Sequence, residues 1–187
     1  MKYYLIISAL AIILFSACKD KEDPKKEAPI SALSIIKGQL KKFDSTIYAF
    51  TKYERAGDKT DTAYLRREEV KKFAEIFLSL PEIADEKYHK RYTEEKIVDA
   101  EQQTLSITST LKDGVNSEIQ TQMLIIDMTD LSNGTVKSIF IDSYKNSGDS
   151  TIGKKLFWEI DKYFTILTSI EKENQPEKTH YTKIEWQ

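Results

Sequence analysis

The sequence predicts an α+β fold, in which two helices from the N-terminal half pack on an antiparallel β-meander of about six to eight strands. Two patterns indicate this fold. Residues 30–80 contain two stretches with apolar residues at helical spacing, and residues 104–187 alternate apolar and polar residues in six segments separated by short turns. Strands joined by short turns pair as antiparallel neighbours with one apolar face, which the two helices would cover. A closed barrel of eight strands is the alternative layout.

The first helix is predicted in residues 29–43 and the second in residues 67–80. Pro29 suits the first turn of the first helix, and Pro81 ends the second. In both stretches apolar residues recur at steps of three or four, as one face of a helix requires. The two stripes consist of Leu33, Ile36, Leu40 and Phe43, and of Val70, Phe73, Phe77 and Leu80.

Two shorter segments complete the N-terminal half. Residues 46–54 and 60–65 are rich in aromatic and β-branched residues and flank a loop with Gly57, which predicts a hairpin. Residues 82–103 are charged and show no clean period. They are therefore predicted to form a long irregular crossover with one helical turn around residues 87–92.

Six strands are predicted in the C-terminal half, where apolar and polar residues alternate. The Asn133-Gly134 pair is a strong turn signal between two of them. The predicted strands are residues 104–112, 119–128, 136–145, 151–161, 163–171 and 179–186.

The first eighteen residues form a leader. Lys2 is followed by an uncharged, mostly apolar run at residues 3–15, then by the small residues Ser16 and Ala17 and by Cys18. A membrane-spanning helix needs about 20 apolar residues, so this run is too short to span a bilayer. The order of positive, apolar and small residues predicts a secretory signal peptide.

Cys18 is the only cysteine of the chain, and it follows the small pair directly. The sequence Phe15-Ser16-Ala17-Cys18 resembles the lipobox of bacterial lipoproteins, with Phe15 in place of the more usual leucine. The resemblance implies transfer of diacylglycerol to the Cys18 sulfur, cleavage between Ala17 and Cys18, and acylation, for example by palmitate, of the new amino group. Each buried methylene adds about 0.8 kcal/mol, so several chains would hold the protein on a membrane.

The chain then divides into a signal peptide at 1–17, a charged tether at 18–29 and one folded domain at 30–187. Residues 19–23 resemble the lysine-plus-acid export signal of surface lipoproteins of Bacteroidota-type bacteria, and a spacer of mixed charge is the alternative. The resemblance implies the cell envelope, on the outer membrane, with the domain in the periplasm or at the surface. Asp61-Thr62-Ala63 resembles the O-glycosylation acceptor of such proteins, which implies sugar on Thr62.

The sequence holds few residues for metal or nucleophilic chemistry. His89 and His180 are the only histidines, and neither lies in a metal-ligand spacing. The sequence contains neither a G-x-S-x-G elbow nor a phosphate-binding glycine loop. The formal net charge of −2 does not suit a nucleic-acid partner. We therefore expect no metal, no cofactor, no nucleic-acid binding and no enzymatic activity.

Residues 87–92 combine cations with aromatic rings, a combination that binds phosphate, anionic sugars or anionic lipids. Tyr88, Lys90, Arg91 and Tyr92 are therefore candidate ligand contacts. The alternative is a solvated loop with its two tyrosines packed on the sheet.

Three functions stay open from the sequence. The leading hypothesis is a non-enzymatic binding or envelope-assembly module, anchored to the membrane through Cys18, with a protein or glycan partner. The second is a small ligand carrier with a cavity between the sheet and its helices. The third is a hydrolase with paired carboxylates, because the chain has 30 acidic residues.

Overall fold

The computed structural model of the chain describes residues 29–129 and 134–187. Within these ranges the chain forms three helices and one antiparallel sheet of nine strands. The signal peptide, the Ala17–Cys18 cleavage and lipid site, and nearly all of the tether lie outside the described residues, as does Asn133 of the predicted turn. None of the three described helices combines the length with the hydrophobicity that a membrane-spanning helix requires.

The N-terminal half contains three helices and a two-stranded hairpin, and the rest of the chain forms an antiparallel meander of seven strands. The strand order in the sheet is β2-β1-β9-β8-β7-β6-β5-β4-β3, so β1 pairs with β9 and adds the N-terminal hairpin to the meander. In chain order the elements are α1 (Ala32–Ser45), β1 (Phe50–Ala56), β2 (Lys59–Leu65), α2 (Arg67–Leu78), α3 (Glu86–His89), β3 (Tyr92–Asp99), β4 (Thr104–Leu111), β5 (Ile119–Asp127), β6 (Thr135–Ser147), β7 (Ser150–Glu159), β8 (Tyr163–Lys172) and β9 (Lys178–Trp186).

The start of α1 is fixed by local hydrogen bonds. The Ser31 Oγ accepts a hydrogen bond from the Ser34 N–H at 3.0 Å, as an N-cap residue does. The Glu82 carboxylate accepts from the Ser31 hydroxyl and from the Leu33 N–H at 3.2 Å. A residue beyond α2 therefore holds the first turn of α1, and α1 begins three residues later than Pro29.

The predicted apolar stripes of α1 and α2 lie against the sheet. Phe77 of α2 is fully buried, with its ring edge-on to Trp158 at 5.3 Å and to Phe164 at 5.6 Å between centroids. Phe43 of α1 packs in the same way on Trp186, at 4.9 Å. Side chains of the helices and the sheet thus form one continuous core.

The strand count differs from the prediction, because the described sheet has nine strands instead of six to eight. The missed strand is β3, in the segment predicted to be an irregular crossover. It is an edge strand, and six of its eight side chains are exposed, so no alternation of apolar and polar residues marks it. The other edge is β2, so the described sheet is open and is not the closed barrel.

The remaining differences are small. Helix α3 occupies Glu86–His89, close to the helical turn predicted at residues 87–92. The hairpin of β1 and β2 is tighter than predicted, since only Gly57 and Asp58 separate the strands. Gly57 has a φ of 59°, a conformation that favours glycine.

Candidate functional site

The candidate site lies where the start of β5 meets the end of β6. Ile119 pairs with Ser143, but the next pair joins Thr121 to Asp142, so Gln120 is an extra residue in β5. Such a β-bulge redirects side chains and is common beside functional sites.

Gln120 lines a partly enclosed surface cavity with a volume of about 330 Å³. Ligand sites in proteins commonly range from about 300 to about 1,000 Å³, so this cavity suits a small ligand or one unit of a larger one. Its two walls come from separate segments, which the Tyr144 N–H joins by donating to the Glu118 carbonyl at 2.8 Å. The lining residues are Asn116, Ser117, Glu118, Gln120, Tyr144, Lys145 and Asn146.

The ring of Tyr144 occupies space that a glycine leaves open. Gly153 faces Tyr144 across the β6–β7 pair. A Cβ atom at position 153 would lie 3.2 Å from the Tyr144 Cε1 and 2.8 Å from the Ser169 Oγ. Tyr144 is nevertheless 45% exposed. The ring is therefore supported by the sheet and remains accessible to a ligand.

The polar lining consists mainly of side-chain amides and hydroxyls. Each amide of Asn116, Gln120 and Asn146 carries both donors and an acceptor. The Gln120 Nε2 donates to the Ser117 carbonyl at 2.8 Å, which fixes that amide at the wall. The cavity has one acid, Glu118, and one base, Lys145, so the formal charges of its lining balance.

Two of the residues predicted as ligand contacts support this wall. Tyr92 is buried, and its hydroxyl donates to the Ile119 carbonyl at 3.0 Å and lies 2.8 Å from the Ser117 Oγ. Burial raises the pKa of Tyr92. The Arg91 guanidinium donates to the Asn116 carbonyl at 3.4 Å. Arg91 and Tyr92 thus lie behind the cavity and hold its lining segment in place.

The other two predicted contacts are not in the cavity lining. The Tyr88 ring is flanked by two cations, with the Lys87 Nζ at 4.7 Å and the Arg91 Cζ at 5.2 Å from its centroid. Lys90 forms an exposed ion pair with Glu86 at 2.6 Å. Thr62, the predicted glycosylation residue, is exposed on the edge strand β2.

A second polar cluster joins β1 to β9. The Glu54 carboxylate binds the Lys52 ammonium and lies 2.6 Å from the His180 Nε2. The hydrogen bond from Lys52, with a further one from His180, lowers the pKa of Glu54. A carboxylate held in its ionised form does not suit the role of a general acid.

Asp142 has the opposite character, because burial raises its pKa. One of its oxygens is buried and has no hydrogen-bond partner among the described residues. Its cross-strand neighbours are Thr121 and Lys155, so no second carboxylate faces it across the strands. Within the described ranges, no group of three or more His, Cys, Asp and Glu residues could hold a metal ion.

Comparison of the chain with models of known protein families, with curated proteins and with solved structures finds no match in any of the three.

Proposed function

We propose that this chain is an outer-membrane lipoprotein of the cell envelope whose domain is a non-enzymatic binding module. Acyl chains on Cys18 anchor it, and the cavity beside the Gln120 bulge binds its ligand. The observation that carries the binding role is this cavity, in which a bulged residue, a supported aromatic ring and several amides converge.

The anchoring role is supported by the sequence of the leader. The only cysteine follows an apolar run and two small residues, as lipid attachment requires. Residues 19–27 are charged or proline and would act as a solvated tether between the lipid and the domain. Attachment of two or more acyl chains would make the anchoring stable, because one chain gives only marginal binding.

The binding role is favoured over the other two hypotheses. Aromatic side chains of the helices and the sheet pack against one another between these layers, where the carrier hypothesis places its ligand. The hydrolase hypothesis needs two neighbouring carboxyl groups whose pKa values are shifted apart. Glu54 binds the Lys52 ammonium and the His180 ring, and Asp142 faces no acid across the sheet.

The anchor is tested by replacing the thiol. We expect the native protein to begin at Cys18, to carry the mass of the acyl chains and to fractionate with membranes. A Cys18→Ser variant should keep the leader and carry no lipid. Thr62→Ala is the control for mass, because it leaves the anchor unchanged and removes only a sugar at that residue. A native protein that retains residues 1–17 with an unmodified thiol would refute the anchoring role.

The binding role is tested with the mature lipidated protein in detergent. A panel of oligosaccharides, peptides and nucleotides is screened against the native chain and against an Asn116→Ala/Gln120→Ala variant. We expect at least one compound whose binding depends on these two cavity amides. If every compound that binds does so equally well to both proteins, the cavity is not the binding site.

A further inference from the structure

We infer that the cavity beside the Gln120 bulge binds a neutral sugar unit of a glycan. The sugar ring stacks on Tyr144, and its hydroxyl groups bind the side-chain amides. This inference rests on the proposed binding function and names the ligand class of the same cavity.

The charge of the lining argues against an anionic ligand. Glu118 and Lys145 are the charged residues that line the cavity, and their formal charges cancel. Phosphate and carboxylate ligands are bound by clustered arginine and lysine side chains. The nearest arginine identified at the wall, Arg91, binds the Asn116 carbonyl at 3.4 Å. A neutral ligand therefore fits this lining best.

The side-chain amides match the chemistry of a sugar. Each sugar hydroxyl both donates and accepts a hydrogen bond. The Gln120 Nε2 already donates to the carbonyls of Ser117 and Glu118, at 2.8 and 3.5 Å, so this amide offers its oxygen to a ligand. The Asn146 Oδ1 accepts from the Thr151 hydroxyl at 3.2 Å, so that amide offers its nitrogen. Three amides line a cavity of about 330 Å³, together with the hydroxyls of Ser117 and Tyr144. Donors and acceptors that come from different side chains around one cavity suit a ligand that is covered with hydroxyl groups.

Tyr144 supplies the apolar part of the site. The face of an aromatic ring carries partial negative charge, so it attracts the positively polarised C–H groups of a sugar ring. Because Gly153 has no side chain, the Tyr144 ring rests against the sheet beside it. This support limits the movement of the ring and reduces the entropy lost on binding.

The wall that carries Asn116 and Ser117 is also held before a ligand arrives. The buried Tyr92 hydroxyl lies 2.8 Å from the Ser117 Oγ, and the Arg91 guanidinium donates to the Asn116 carbonyl. Gln120 is fixed by its own bond to the Ser117 carbonyl. A preorganised wall is what a small ligand with few contacts needs in order to bind.

The test uses the mature lipidated protein in a detergent without a sugar headgroup. The probes are neutral hexasaccharides of glucose, mannose, galactose, xylose and N-acetylglucosamine, with oligogalacturonate as the acidic comparison. We expect at least one neutral glycan to bind, with an affinity that is unchanged between about 50 and about 500 mM salt, because screening acts on charged ligands. Binding of oligogalacturonate alone, weakened by salt, would show an anionic ligand and overturn the inference.

The site is located with matched variants. We expect Tyr144→Ala to weaken binding at least about tenfold and Gln120→Ala about fivefold, whereas Tyr144→Phe keeps the ring and stays within about threefold. Gly153→Ala should weaken binding less than Tyr144→Ala does, because its Cβ would lie 3.2 Å from the Tyr144 Cε1 and shift the ring by only a few tenths of an ångström. Tyr64→Ala is the control and should leave the affinity for the glycan unchanged, since Tyr64 is 87% exposed on the distant edge strand β2. The tryptophan fluorescence of each variant checks that it is folded.

The inference and the proposed function fail separately. If a ligand that is not a carbohydrate binds in the cavity, the assignment of a sugar ligand is wrong, whereas the proposed binding function stands. If no neutral glycan binds, the assignment of a sugar ligand is also wrong. A neutral glycan whose binding is unchanged in Tyr144→Ala and Gln120→Ala would place the sugar elsewhere and remove the cavity from both proposals.

Discussion

Phe77 holds helix α2 on the sheet, and its truncation tests whether the core lies beneath that helix. The ring is fully buried and stands edge-on to Trp158, at 83°, and to Phe164, at 77°. Replacement by alanine removes the ring from the centre of this aromatic group. The two rings that pack against it, Trp158 and Phe164, are carried by the neighbouring strands β7 and β8.

The expected loss is large compared with the stability of a domain. A fully buried Phe→Ala change costs about 3–5 kcal/mol, through lost burial and the cavity that is left. Two edge-to-face ring pairs account for about 1–3 kcal/mol of that loss. A domain of this size is typically stable by about 5–15 kcal/mol, so Phe77→Ala should fold but unfold at a much lower urea concentration.

The assay is urea unfolding followed by tryptophan fluorescence. Trp158 and Trp186 are the only tryptophans of the chain, and both are buried in the same core. Phe73→Ala is the matched control, because Phe73 is on the same helix and only half-buried. We expect Phe73→Ala to lose about half as much free energy of unfolding. An equal or smaller loss in Phe77→Ala would refute the packing of α2 described above.

Three carboxyl groups predict how the free energy of unfolding depends on pH, each measured from urea midpoints. Burial raises the pKa of Asp142, so its ionised form destabilises the fold as pH rises above 3.8. Asp142→Asn should therefore have a larger free energy of unfolding than the native protein at pH 7 and the same value at pH 3. Hydrogen bonds from the Thr129 N–H and from Lys137 lower the pKa of Asp127 to about 2. The native protein should therefore have a larger free energy of unfolding than Asp127→Asn above pH 3.8, and this difference should disappear as pH falls towards 2. The pKa of Glu54 is also lowered, by the hydrogen bond from Lys52. Glu54→Gln should therefore have a smaller free energy of unfolding than the native protein above pH 4.5, and the difference should disappear as pH falls through the lowered pKa. A difference that stays constant with pH would contradict each of these assignments.

The sequence predicted those elements of the fold that bury one face. The stripes of α1 and α2 and the six strands from β4 to β9 each place apolar residues on a core side, and hydrophobic periodicity records that burial. Edge strand β2 is as exposed as β3, but it was predicted because its composition and the Gly57 loop indicate a hairpin. Strand β3 has no such turn signal and buries little beyond Tyr92, so it was missed. Its exposed Ile97 and Val98 lie between charged residues, so neither a strand period nor a helical period is visible.

At the candidate site, the sequence predicted only residues that support the cavity wall and none that line the cavity. Arg91 and Tyr92 were identified from their composition, but the structure places them behind the cavity. Asn116 and Asn146 lie between predicted strands, and the alternation of apolar and polar residues assigns neither of them to a site. A signal was nevertheless present, because neighbouring antiparallel strands bring the start of β5 beside the end of β6 and therefore bring these two polar segments together. The bulge at Gln120 depends on strand register, which a pattern of alternation does not reveal.

That bulge gives a way to separate the fold from the site. Deletion of Gln120 would make Ile119–Ser143 and Thr121–Asp142 consecutive pairs, and every flanking side chain would keep its present face of the sheet. We therefore expect the deletion variant to unfold cooperatively, close to the native urea midpoint, and to lose ligand binding with the cavity wall. Deletion of Met123 is the control, because Met123 lies in the regular part of β5 and its loss would turn one side of the strand over, moving buried residues to the exposed face. If deletion of Gln120 destabilises the protein as much as deletion of Met123, the extra residue belongs to the architecture of the sheet and was not placed there for binding.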